Sequence, residues 1–78
     1  MIRYYFHIRD GWDLIPDDEG MDLSGIDAAR AEAYSSADDL ARAGIRDGKA
    51  AAAWAIEIAD QAGNILGRVC VPEQRQLA

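Results

Sequence analysis

The chain has 78 residues and a net charge of −6, and 50% of it is classed as hydrophobic. Fifteen of those 39 residues are alanine, so length and composition allow one small domain with a thin core. There is no basic footprint for nucleic acid and no apolar run near the roughly 20 residues that span a bilayer, and the single cysteine excludes an internal disulfide.

Ile2, Tyr4, Phe6 and Ile8 alternate with Arg3, Tyr5, His7 and Arg9, which is the period-two pattern of a half-buried strand. Asp10-Gly11 follows at once and predicts a two-residue hairpin turn of type I′. Trp12 to Pro16 then returns antiparallel and stops where proline cannot donate to a ladder. In that register Arg9 faces Trp12, His7 faces Leu14 and Tyr5 faces Pro16. One face of the hairpin then carries Tyr5, His7, Trp12 and Leu14. The next segment, "DDEGMDL", reads as a turn plus a short extended stretch.

Ser24 and Asp27 have the spacing of a capping box at a helix start. From there a helix is predicted over about Gly25 to Asp47, with Gly48 as the residue just past its end. Ile26, Ala29, Ala33, Ala37, Leu40 and Gly44 share one face, and most are small enough to let the helix sit close to whatever it covers. Asp38 and Arg42 form an i,i+4 pair on the other side. Trp54, Ile56 and Ile58 alternate as a third strand, Asp60 to Gly63 is a turn, and Asn64 to Val71 returns as a fourth. A bulge near Gly67 reconciles the mixed pattern of that last strand, in which Ile65, Val69 and Val71 favour one face and Leu66 and Cys70 the other. Residues 72–78 form a frayed tail. The whole chain, 1–78, is then a single α+β domain of order ββαββ, a four-stranded antiparallel sheet with one helix on one face.

Candidate sites are few. His7 supplies one nitrogen ligand, whereas zinc sites use three or four protein ligands, so a metal or hydrolytic centre needs His7 to combine with Asp10, Asp13, Asp17 or Glu19. Asp10, Asp13, Asp17, Asp18, Glu19, Asp22 and Asp27 occur between Arg9 and Arg30 with no base among them. This run fails the calcium-loop pattern, because Gly20 as the sixth position puts Ile15 at the first. Ser24, Ser35 and Ser36 lack a glycine-flanked elbow, Cys70 reads as a small buried hydrophobe, and no phosphate-binding glycine loop occurs.

The stretches "RYYFHIRDG", "DDEGMDL", "AARAEA" and "WAIEIADQAGNIL" together resemble a family of short uncharacterised bacterial proteins. Its members run Arg-Tyr-Phe-Phe-His, Asp-Gly, Asp-x-Glu-Gly, Leu, Ala-Ala-Arg-Ala-Glu-Ala and a closing hairpin with tryptophan. The likeness covers residues 3–71, with Tyr5 where phenylalanine is usual and Gly67 and Cys70 as departures in the last strand. It implies no catalytic residue and no ligand, only that His7, Asp10, Gly11, Asp17 or Asp18, Glu19, Gly20 and Arg30 belong to a shared pattern. The order of elements is also similar to HicB-type antitoxin domains, which neutralise a small toxin, usually as oligomers, and often carry a DNA-binding segment that this sequence lacks.

These readings converge on a non-catalytic interaction module in the cytoplasm. It has no cofactor, contacts neither nucleic acid nor membrane, and associates with itself or a small protein through Tyr5, His7, Trp12 and Leu14. The start of the chain alternates and has no cleavage-like site, so no export signal is expected.

Overall fold

The computed structural model describes residues 1–46 and 54–71, the side chains of 43–46 excepted. Strand β1 (Ile2–Asp10) is followed by two short strands, β2 (Asp13–Ile15) and β3 (Met21–Leu23). Helix α1 (Ile26–Arg46) comes next, and β4 (Trp54–Ala59) and β5 (Ile65–Cys70) close the described chain. All pairings are antiparallel, in the order β2-β1-β4-β5, with β3 also paired to β1. The sheet thus has five strands, where the sequence pattern predicts four. The expected width of four is kept, because β2 and β3 are two pieces of one broken edge.

The even-numbered side chains of β1 face the helix. Tyr4 is buried, and Phe6 and Ile8 pack on a core made of Ile56 and Ile58 from β4, Val69 and Val71, and four helix alanines. Those alanines (Ala29, Ala33, Ala37 and Ala41) form the small-residue stripe that lets α1 lie close against β4 and β5. Ile26 and Leu40, expected within the stripe, are only partly buried beside it, and Ala41, which the expected stripe does not include, is buried in it; the burial of Gly44 and the whole of Gly48 lie outside the described residues. The helix begins one residue later than the pattern predicts. The Gly25 carbonyl accepts the Ala29 amide at 3.1 Å, which makes Gly25 rather than Ser24 the capping position. The Asp38–Arg42 pair forms at 2.8 Å.

The first hairpin corrects the expected register. Asp10 pairs with Asp13, Arg9 with Leu14 and Ile8 with Ile15, so the turn is Gly11-Trp12 and not Asp10-Gly11. Gly11 has φ of 59° and no non-glycine residue has positive φ. That is the pattern of a type II′ turn, which needs positive φ only at its first central residue, whereas type I′ would impose it on Asp10 as well. The slip moves every partner by two residues, and an even slip keeps Leu14 on the same face as Tyr5 and His7. Trp12, expected on that face, sits instead in the turn.

In the second hairpin the Gly63 amide donates to the Asp60 carbonyl at 3.1 Å, closing the expected turn. A register shift falls between Ile58 and Ala59, leaving Leu66 as the extra residue. The bulge therefore exists one position before Gly67. It turns Ile65 to the face opposite Val69, although simple alternation would put the two together.

Candidate functional site

Five residues, 16–20, lie opposite only three of β1, Tyr5 to His7, because Ile15 pairs with Ile8 and Met21 with Tyr4. Such a break leaves backbone groups of β1 without a ladder partner. Side chains supply the missing bonds. The Phe6 amide donates to Asp17 Oδ2 at 3.1 Å, and the amides of Glu19 and Gly20 donate to Asp17 Oδ1 at 3.1 and 3.2 Å. The Asp17 amide in turn donates to His7 Nδ1 at 3.0 Å. Partial burial pushes the Asp17 carboxyl up, but the amides of Phe6, Gly20 and Glu19, with a smaller contribution from His7, outweigh it and hold it below the usual aspartate value.

Gly20 closes this segment with φ of 73°. A Cβ there would stand 3.0 Å from both the Tyr4 carbonyl oxygen and Tyr5 Cε1, so conformation and space both select glycine. Arg3 ties the far end: its Nε donates to Asp22 Oδ1 at 2.9 Å and its Nη1 to the Glu19 carbonyl at 2.8 Å. The histidine and acids that stand out in the sequence thus have a structural task. Asp17 was hidden among like residues. The signal that could have singled it out is an Asx turn, an aspartate whose carboxylate meets the amides two and three residues on, closed by glycine.

The face of the sheet turned away from the helix carries Tyr5, His7, Arg9 and Leu14 from the first hairpin. The His7 and Tyr5 rings stack with centroids 6.3 Å apart. Glu57 lies directly across from His7 on β4 and is only 9% exposed. It accepts from Arg9 Nε and Nη2 at 3.3 and 3.4 Å, which keeps a nearly buried carboxylate paired. Ala55 and Ala59 are buried beside it. This face therefore mixes charge with small residues; Leu14 and the turn residue Trp12 are exposed at its hairpin margin and Ile65 at its β5 side, whereas Ile15, paired with Ile8, is exposed on the helix side.

Of the remaining candidates, Asp10 and Asp13 face each other at the hairpin neck, and Glu19 projects from the segment that Asp17 holds. Among the described residues, no three His, Cys, Asp or Glu side chains are placed to hold a metal ion together. Cys70 is exposed on β5, contrary to the buried position expected for it. No described helix is long and apolar enough to cross a membrane.

A family model described as a domain of unknown function (DUF6894) matches residues 3–72. The chain belongs to that family. The DUF6894 match takes in the helix and the described sheet except Ile2, the first residue of β1. It bears out the resemblance to an uncharacterised family and carries no HicB assignment. No curated protein and no solved structure matches the chain.

Proposed function

We propose that this DUF6894 domain is a non-catalytic interaction module that pairs with a second copy of itself through the tip and outer margin of its first hairpin. One observation carries the reading. Trp12 is 99% exposed, and Leu14 and Ile15 behind it on β2 are 41% and 52% exposed. A tryptophan held in water next to further apolar side chains marks a contact surface more often than a free one. The thin core adds weight, since among the described residues Ile56 and Ile58 are the largest fully buried side chains and chains of this size need burial from elsewhere. A two-fold axis along this margin brings Trp12 and Leu14 against their copies, with Tyr5 and His7 beside them. The reading assumes the cytoplasm, where a lone cysteine stays reduced. It involves no cofactor, nucleic acid or membrane.

Sedimentation equilibrium tests it. The wild-type chain should be dimeric with a micromolar dissociation constant, equivalent to about 8 kcal/mol. Trp12→Lys or Leu14→Lys should give a monomer with unchanged helix content by circular dichroism. A monomeric wild type at concentrations on the order of 100 µM, far above that constant, overturns the proposal. Calorimetric binding of zinc, manganese or calcium that vanishes in His7→Ala would replace it with a metal site on His7 and the neighbouring acids.

A further inference from the structure

We propose that the outer edge of β5, with the flank of α1 beside it, binds an acidic extended peptide as an added strand. Among the described residues β5 pairs only with β4, so one row of its amides and carbonyls has no strand partner. The bulge at Leu66 confines the regular part of that edge to Gly67–Cys70. Next to it lies a cleft of about 150 Å³ lined by Arg30, Tyr34, Ile58, Gly67, Arg68 and Val69. The cleft exists because Gly67 sits across from Ile58 with no side chain, and a Cβ placed there would meet only Ile58 Cδ1, at 3.6 Å. It has room for one apolar side chain of an incoming strand.

Charge selects the occupant. Acids outnumber Lys and Arg by 14 to 8 in this chain. Arg3, Arg9 and Arg42 each hold a carboxylate. Arg30 and Arg68 are exposed and hold none among the described residues, and both border this edge. The pairing of Arg68 with Glu57 puts its side chain on the face away from the helix, whereas Arg30 rises from the helix. The two side chains therefore leave the edge toward opposite faces of the strand, and both residues line the cleft. A strand laid along the edge sends successive side chains to opposite faces, so acids along it meet Arg30 on one side and Arg68 on the other. This site lies on the edge of the sheet opposite to Trp12 and does not depend on self-association.

The probe is a fluorescein-labelled octapeptide in which pairs of glutamates alternate with pairs of valines, so that both faces of the added strand carry acids and apolar side chains; it is blocked at both ends, and the same peptide with lysine in place of glutamate is the control. Anisotropy should show saturable binding of the glutamate peptide that weakens as salt rises, and no binding of the lysine peptide. Arg30→Glu and Arg68→Glu should each weaken binding by about tenfold, since each replaces an attractive charge by a repulsive one. Arg30→Gln and Arg68→Gln serve where a glutamate variant fails to fold. Trp12→Lys should leave binding unchanged, which separates this inference from the dimer. Bound peptide should slow hydrogen exchange at Gly67–Cys70 and not at Asp13–Ile15. The proposal is overturned by the lack of saturable binding, by equal binding of the lysine peptide, by indifference to both arginine substitutions, or by protection of Asp13–Ile15 in place of Gly67–Cys70.

Discussion

In the second hairpin the Asp60 carboxylate accepts from the amide and the side chain of Asn64, at 2.8 and 3.1 Å, only four residues away. In the first hairpin the Asp17 carboxylate reaches back eleven residues to the Phe6 amide while holding the two amides just ahead of it. Both groups sit below the usual aspartate value. For Asp60 the cause is chiefly the Asn64 amide and side chain, and for Asp17 the backbone amides overcome the opposing effect of partial burial. The same chemistry thus serves two purposes. Asp60 shapes a local turn whose strands are then held by the core, whereas Asp17 replaces ladder bonds where the edge of the sheet breaks. Burial follows the division: β4 is buried along nearly its whole length, and β2 is exposed throughout.

Three substitutions sharpen this contrast. The largest loss is expected from Ile58→Ala, since that side chain is 0% exposed on β4 and its removal leaves a cavity between sheet and helix. Urea unfolding should show a loss of roughly 2–5 kcal/mol. A smaller loss would mean that the alanine stripe of α1 closes onto the space.

Asp17→Ala comes next. It leaves the Phe6, Glu19 and Gly20 amides without their acceptor, at a cost of roughly 1–3 kcal/mol. Because the folded-state value of Asp17 is depressed, the native protein binds fewer protons than the unfolded chain in the acid range. Its contribution is therefore fully present above the unfolded value of about 4 and is lost as pH falls through the folded value. The wild type should lose stability over that window, and Asp17→Ala should show a shallower acid slope. Equal slopes would assign the acid sensitivity to other carboxylates.

The smallest effect is expected from Asp60→Ala. Its bonds are local and exposed, and the strands it joins stay paired without it. Its denaturation midpoint should lie between those of wild type and Asp17→Ala. A loss as large as that of Asp17→Ala would erase the distinction drawn between the two hairpins.

Much of the fold was legible as period and punctuation. Alternation in Ile2–Ile8 marked the buried face of β1, the spacing of Ala29, Ala33 and Ala37 marked the face of α1, and Asp60 to Gly63 marked the closing turn. Asp17 was legible only in part: its spacing to Gly20 is the local mark of an Asx turn, but its bond to the Phe6 amide appears only where β1 passes within hydrogen-bond reach. The pairing state of Arg30 and Arg68 was equally hidden, since it depends on which carboxylates the folded chain brings near them.

The sequence by itself determined the order of the long elements and the inward face of β1, α1 and β4, since side-chain period is a property of a single segment. Tertiary structure decided the two-residue slip of the first hairpin, the splitting of its return strand into β2 and β3, and the bulge at Leu66. Those depend on which of two glycine turns forms and on which backbone groups find partners across the sheet, and both are settled only when distant segments meet.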